Sequence, residues 1–373
     1  MKIGIVLYPT FGGSGVVATE LGKALAKKGH EIHFITYSQP VRLGSFRENI
    51  FYHEVVISDY PLFDYQPYET ILASKMVDVV KYENLDLLHV HYAIPHASAA
   101  YMAQQILKSQ GINIPFVTTL HGTDITLVGK DPSFEPVITF CINQSDVVTT
   151  VSQSLKDDTY THFNTTREIQ VVPNFIDTKD PLVEMDLEKR RRYAKDDERI
   201  LCHISNFRKV KRVEDVVTMF AAVNKEIPSK LIFAGDGPER NKLERLSRDL
   251  GICGRVIFVG KVSDTSHVLQ MSDLFILPSE TESFGLAALE AMAVGVPVIS
   301  SNTGGIPEVN VHGETGYLSN VGDVEDMAKN AIHLLSNENL FQEFRMNAWK
   351  RAKVFSIENV LPLYEKIYDD LIN

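Results

Sequence analysis

Two glutamates eight residues apart frame the most informative stretch of the chain, Glu282-Ser-Phe-Gly-Leu-Ala-Ala-Leu-Glu290, which runs on into Ala-Met-Ala-Val-Gly-Val-Pro-Val-Ile-Ser300. Glu290 is the only ionisable side chain between Ser283 and Ser300. A lone carboxylate on an apolar helix is costly to bury without a partner. Glu282 follows a strand-like segment, 274–277, and the Pro278 turn. Gly285 and the small residues after it predict a helix start at that point. The free amides of its first turn, around Ser283, Phe284, Gly285 and Leu286, would make an anion site suited to a diphosphate. The acids then fall to neutral hydroxyls, as on a sugar or a ribose. The plainer reading of the same spacing is a capping glutamate and a glutamate in a salt bridge.

Cations come from Ser205-Asn-Phe-Arg-Lys-Val-Lys-Arg212, directly after the strand-like 200–205. Arg208 and Lys211 at a strand's C-terminal end can neutralise charge growing on a departing diphosphate. In isolation the run reads equally as a basic surface patch. His121, in Thr118-Thr-Leu-His-Gly-Thr-Asp124, follows an apolar strand. By itself a histidine there is first a hydrogen-bonded structural residue. Gly12-Gly-Ser-Gly15 joins the first strand to the first helix, where glycines let a ligand approach the backbone. It is not G-x-G-x-x-G, and alone it reads as a tight turn. His89-Val-His-Tyr92, with His96, invites a metal. His89 and His91 share a strand face, but no Cys or carboxylate completes a site. His91 and Tyr92 end that strand and are expected to face a ligand. No D-x-D pair ends a strand, and no G-x-S-x-G nucleophile elbow occurs.

Short apolar runs alternating with helical patterns must position these residues. Segments 3–7, 30–37, 85–91, 115–120 and 146–151 read as buried parallel strands of a doubly wound α/β domain. Residues 171–177 read as a linker. A second cycle occupies 200–205, 230–234, 255–259, 274–277 and 297–300. Ligands of such sheets bind outside the strand C-terminal ends, so two halves predict a cleft with a hinge at the linker.

A length of 373 residues suits two domains. The formal net charge of −11 argues against nucleic acid or an anionic membrane as the main partner. The Lys189-Arg-Arg-Arg192 run, within the mixed-charge 186–197, reads as an exposed helix with a solvated face. Cys141, Cys202 and Cys253 are widely spaced, which fits a reducing cytoplasm and offers no disulfide framework. No apolar run approaches the roughly 18–20 residues of a spanning helix. The chain therefore reads as cytoplasmic, without integral membrane contact. A homo-oligomer stays open.

With these residues in place, E-S-F-G-L-A-A-L-E resembles the E-x7-E signature of the retaining family 4 glycosyltransferases. Ala234-Gly-Asp-Gly-Pro-Glu239, Phe258-Val-Gly-Lys-Val262, Gly304-Gly-Ile-Pro-Glu308 and Gly313-Glu-Thr-Gly-Tyr-Leu318 stand in that family's order, and the resemblance covers essentially the whole chain. It implies an α/β GT-B fold, two Rossmann-like domains facing a cleft. The expected division is 1–172 for the acceptor and 173–356 for the nucleotide sugar, with helix 357–373 crossing back. The implied reaction is a retaining, front-face sugar transfer that requires neither metal nor cofactor. His121 would contact the donor sugar, Glu282 its hydroxyls and Glu290 the ribose. Gly13 would border the donor phosphate, and the uracil would lie near Val262. Lys211 matches the family lysine. Asn206 fills the family's arginine position, and Arg208, two residues on, is expected to replace it.

Gly12–Gly15, His121–Lys130, Pro173–Asp177 and Ser205–Arg208 are most similar to family members of the bacillithiol pathway. That similarity implies UDP-N-acetylglucosamine as donor and L-malate as acceptor. A dicarboxylate needs several donors. Ser14 and Gly15 can offer backbone amides, and Tyr92 and Thr123 hydroxyls. Lys130 is a candidate cation or a loop surface residue. The alternatives are the same fold with an inositol phosphate, lipid or glycan acceptor, a non-catalytic nucleotide-sugar sensor, and a dinucleotide oxidoreductase.

Overall fold

The computed structural model describes residues 1–10, 12–44, 47–57, 66–129, 131–178, 182, 185–262 and 264–372. The chain divides into two compact units, Met1–Phe175 with Ile357–Asn373, and Ile176–Ser356.

The first unit is built on seven parallel strands: β1 (Lys2–Val6), β2 (Glu31–Thr36), β3 (Ile50–Glu54), β4 (Leu87–His91), β5 (Phe116–Leu120), β6 (Val147–Thr150) and β7 (Ile169–Val171). Their order is β3-β2-β1-β4-β5-β6-β7. Strands β4 and β5 are buried along their whole length, as in a parallel sheet covered on both faces by helices. The order reverses between β1 and β4, so the loops leaving those two strands meet at a topological switch point. Those loops carry Tyr8 and Tyr92, and Ser14 follows in the first turn of the next helix. Helix Gly13–Lys27 lies close on the sheet because Gly22 admits it: a Cβ there would stand 2.4 Å from Phe34 Cζ. Helix Ile357–Ile372 belongs to this unit and buries Tyr364 and Tyr368 in it.

The second unit repeats the plan with β8 (Arg199–Asn206), β9 (Ser229–Asp236), β10 (Val256–Gly260), β11 (Leu274–Leu277), β12 (Val298–Ser301) and β13 (Gly316–Ser319). All are parallel, in the order β10-β9-β8-β11-β12-β13. Its switch point lies between β8 and β11, whose exits carry Asn206–Lys211 and the 278–285 turn. Leu201, Phe220, Phe233, Leu274 and Ile299 lie in its core.

The basic run at 189–192 departs from expectation. Helix spans only Leu187–Arg190, and Arg190 is 6% exposed rather than solvated. Its guanidinium pairs with Asp273 at 2.7 Å and donates to the carbonyls of Met271 and Glu198. A buried guanidinium persists when its forked donors are met in this way. Strands β3, β7 and β13 are not legible in the sequence because each lacks a continuous apolar run. Phe51 and Tyr52 of β3 even point to solvent. Among the described residues no helix is long and apolar enough to cross a membrane.

Candidate functional site

In the second unit the helix Leu286–Ala293 begins after Gly285, whose φ of 94° is one that glycine tolerates. The backbone before it is clamped. Gly305 N–H donates to the Glu282 carbonyl at 2.9 Å. A Cβ on Gly304 would stand 2.0 Å from that same oxygen, and one on Gly305 would stand 2.3 Å from the Ser283 carbonyl oxygen. The Gly-Gly pair therefore fixes the turn that carries Glu282. Phe284 is 2% exposed and packs edge-on against Phe355, so its side chain is not available to a ligand.

Lys211 Nζ lies 2.6 Å from Glu282 Oε2, the two side chains being 21% and 17% exposed. Glu280 N–H donates to the Val210 carbonyl at 2.8 Å, which ties the exits of β8 and β11 together. For Glu282 the salt-bridge reading of the sequence is thus met, and the partner is the expected phosphate-binding lysine. Phe207 is buried against Phe233, while Asn206 and Arg208 on either side of it are exposed. The strand ends at Asn206 and the Arg208 N–H donates to the Asn206 carbonyl at 2.6 Å, so Arg208 stands close to the position it was expected to replace. Glu290 accepts from Thr265 Oγ1 at 3.3 Å, which brings the loop that contains partly buried Val262 alongside the glutamate's helix.

In the first unit three of the expected acceptor residues come together. The Tyr92 hydroxyl donates to Ser14 Oγ at 2.6 Å and also bonds Thr123. Gly12 and Gly13 are exposed at the start of helix Gly13–Lys27, where first-turn amides lack helical partners. Gly15 is buried instead: a Cβ there would stand 2.5 Å from the Tyr8 carbonyl and 2.6 Å from that of Thr10, so the loop folds over it. Lys130 lies outside the described residues. Tyr92 itself has φ 86°, a left-handed conformation that is strained for an aromatic residue.

Asp124 holds that strain. Its carboxylate accepts from Ala93 N–H at 2.9 Å and Gly122 N–H at 3.0 Å, joining the exits of β4 and β5. Burial pushes its carboxyl up to about 6, against these amides, which pull it down. It is therefore ionised at neutral pH. Asp124 is not among the residues expected from sequence, and neither is Tyr8, whose ring packs on Tyr92 and His96. The Asp at the end of H-G-T-D is the signal that could have found it.

His91 does not face a ligand as expected. It is fully buried, as is His89, and the two rings stack at 4.5 Å. The Tyr368 hydroxyl lies 2.6 Å from His89 Nδ1 and covers this face of the strand from the C-terminal helix. His91 Nδ1 lies 2.8 Å from His121 Nε2, and His121 keeps partial exposure beside Tyr92. Burial lowers His89 and His121 to about 3 and His96 to about 4, and drives His91 well below its usual range. All four are neutral at physiological pH.

Among the described residues one group has metal-ligand chemistry: His33, His53 and Glu83, their ligand atoms within 4.8 Å of one another. His33 Nδ1 and His53 Nε2 are 2.8 Å apart, in rings 17° from coplanar with centroids 5.1 Å apart. That places both nitrogens on the line between the rings, the geometry of an N–H···N bond. Ligand lone pairs would have to converge on an ion about 2.0 Å from each nitrogen. His33 Nε2 meets Glu31 at 3.0 Å, and the pair is satisfied as a hydrogen-bonded relay.

The description Glycosyltransferase Family 4 matches residues 11–180, and Glycosyl transferases group 1 matches residues 185–351. The chain is 50% identical to the N-acetyl-alpha-D-glucosaminyl L-malate synthase of Bacillus anthracis, over 100% of this chain and 97% of that protein. It is 28% identical to an uncharacterized glycosyltransferase of Methanocaldococcus jannaschii, over 99% of this chain and 98% of the other. Among solved structures, Anabaena HepE in complex with UDP and glucose superposes with a TM-score of 0.82 at 19% identity, over 100% of this chain and 99% of that one. Sucrose-phosphate synthase from Thermosynechococcus elongatus superposes with a TM-score of 0.81 at 21% identity, over 99% and 98%. Both likenesses place the fold in the GT-B class.

Proposed function

The chain belongs to glycosyltransferase family 4, and from that premise we propose that it transfers N-acetylglucosamine from UDP-N-acetylglucosamine to the hydroxyl of L-malate. The observation that carries the reading is the end-to-end identity of 50% with a protein named for that product. Supporting it, Ser14, Tyr92 and Thr123 gather hydroxyls next to a helix N-terminus, a setting suited to a small anion and not to a long glycan.

In this reading the acceptor is held by the first unit and the nucleotide by the second. The malate oxygen bonds to the anomeric carbon on the face from which the diphosphate departs. The sugar–phosphate bond breaks, and the hydroxyl proton passes to a phosphate oxygen of the leaving UDP. Configuration is retained. The protein's part is positioning and charge. Lys211, Arg208 and the amides of the 283–286 turn meet the charge of the leaving diphosphate. Glu282 accepts from sugar hydroxyls and Glu290 from the ribose. Gly13 lies beside the phosphate and Val262 beside the uracil. His121, neutral by burial, orients the sugar by hydrogen bonding and does not supply a proton. No metal or cofactor enters these steps.

UDP release, measured with UDP-N-acetylglucosamine and a panel of acceptors under exhaustive chelation, tests the proposal. L-malate should support turnover far better than D-malate, neutral sugars or inositol phosphate, with the rate nearly unchanged by the chelator. Inert malate beside a rapidly used lipid or sugar would remove the acceptor. Full loss on chelation, restored by magnesium or manganese, would remove the metal-free mechanism.

A further inference from the structure

We propose that His91 is a positioning residue whose Nδ1–H donates to His121 Nε2, so that His121 turns an N–H at Nδ1 toward a ligand. The proposal rests on the glycosyl-transfer reading only for what that ligand is.

His121 Nε2 is engaged by His91 Nδ1 at 2.8 Å, in rings 28° from coplanar with centroids 5.0 Å apart. This is an in-line N–H···N bond, and it leaves Nδ1 as the ring nitrogen His121 can offer. One proton lies between the two nitrogens, and its owner sets the character of the other edge of each ring. If it belonged to His121, neutral His91 would carry its own proton on Nε2. That atom is enclosed and has no hydrogen-bond partner. If the proton belongs to His91, Nε2 is a bare nitrogen instead. Orphaned buried N–H groups are the rarer and costlier of the two. Two protons on His91 would put a charge into a site already shared with His89 and His96, which full burial disfavours.

The neighbours keep the His91 ring from turning. His89 stacks on it and is fixed by Tyr368 through Nδ1 at 2.6 Å and by Thr119 through Nε2 at 2.7 Å. The His91 carbonyl accepts from His96 Nδ1 at 2.5 Å, which pins the backbone beneath the ring. His96 must donate there, since a carbonyl only accepts, so its Nε2 is likewise a bare nitrogen. As with a backbone carbonyl or carboxylate partner, the bond made at one ring nitrogen fixes which nitrogen of the working histidine carries the proton. It makes His121 a donor toward sugar or acceptor oxygens.

Nitrogen-15 spectra of histidine-labelled protein, with His121 assigned through His121→Gln, read the tautomer directly. In the wild type His121 should be protonated at Nδ1 and bare at Nε2. His91→Phe should release it to a mixture or to the Nε2–H form. His91→Asn, whose amide N–H stands where Nδ1–H stood, should restore the wild-type pattern. In turnover, His91→Phe should lower kcat by about three- to tenfold, the scale of one hydrogen bond, with His91→Asn recovering most of it. An Nε2–H tautomer at His121 in the wild type overturns the proposal. So does an unchanged tautomer in a folded His91→Phe protein. The spectra need no substrate, so they decide this point even if malate is not the acceptor.

Discussion

The two units share a sheet plan and place their candidate residues at the same kind of switch point, yet they solve opposite electrostatic problems. The second unit presents charge: Lys211 and Glu282 pair at 2.6 Å with side chains about one-fifth exposed, and Arg208 stands free of the core. Around its histidines the first unit removes charge, and its buried Asp124 carboxylate is met by backbone amides. His89, His91, His96 and His121 are neutral, and the Tyr92, Ser14 and Tyr368 hydroxyls join the hydrogen bonding. A leaving diphosphate needs cations and amides already fixed where its charge grows. A sugar and a small acceptor need fixed donors in a dry setting, where each hydrogen bond discriminates more strongly. In the proposed reading one architecture supplies both, and the difference lies in the loops that leave the strands.

Acid should separate the two units most widely. His89, His91, His96 and His121 stay neutral in the native state, with His89 and His121 near 3 and His96 near 4, against about 6.5 unfolded. Below pH 6.5 the unfolded chain therefore binds protons that the native chain does not, and stability falls with pH. Each histidine contributes about 1.4 kcal/mol per pH unit until its native value is reached, or about 5 kcal/mol per unit for the four. Asp124 acts oppositely between 3.8 and about 6, because its native carboxyl holds a proton the unfolded one releases, and it offsets about one of the four. The second unit has one comparable histidine, His203, lowered to about 4 by burial. Hydrogen exchange at pH 5 against pH 7.5 should show β4 and β5 losing protection before β8 and β11. The reverse order would break the comparison.

Removing a cation should act on rate and hardly on folding. Lys211→Ala or Arg208→Ala should lower kcat about 10²-fold, the scale of one lost transition-state donor, with little change in melting because the sites are partly solvated. A near-wild-type Arg208→Ala beside a crippled Asn206→Ala would return the arginine's role to Asn206.

The second unit is the more legible in sequence because its site is made of short contiguous motifs with unusual residues. Glu282, the Gly285 helix start and Lys211 need only local spacing. The Gly304-Gly305 pair can be recognised as a motif, but its reason, contact with the Glu282 and Ser283 carbonyls, is tertiary. The first unit is less legible. His89-Val-His91 correctly places two rings on one strand face, but alternation does not say which face a later helix will cover. Tyr368 arrives from 279 residues away and buries it. Asp124 escapes notice for the same reason: its second partner, Ala93, lies on another strand exit. Arg190 looks solvated in sequence because its acceptors at Met271 and Asp273 are remote along the chain.

The central claim is that the acceptor is read by the first unit and the nucleotide by the second, and paired Michaelis constants for Tyr92→Phe and Glu290→Gln test it most directly. Tyr92→Phe removes the hydroxyl shared by Ser14 and Thr123, and should raise the malate KM by about three- to tenfold with the donor KM nearly unchanged. Glu290→Gln should do the converse. If Tyr92→Phe instead raises the donor KM and leaves that of malate alone, the division of labour between the two units is wrong.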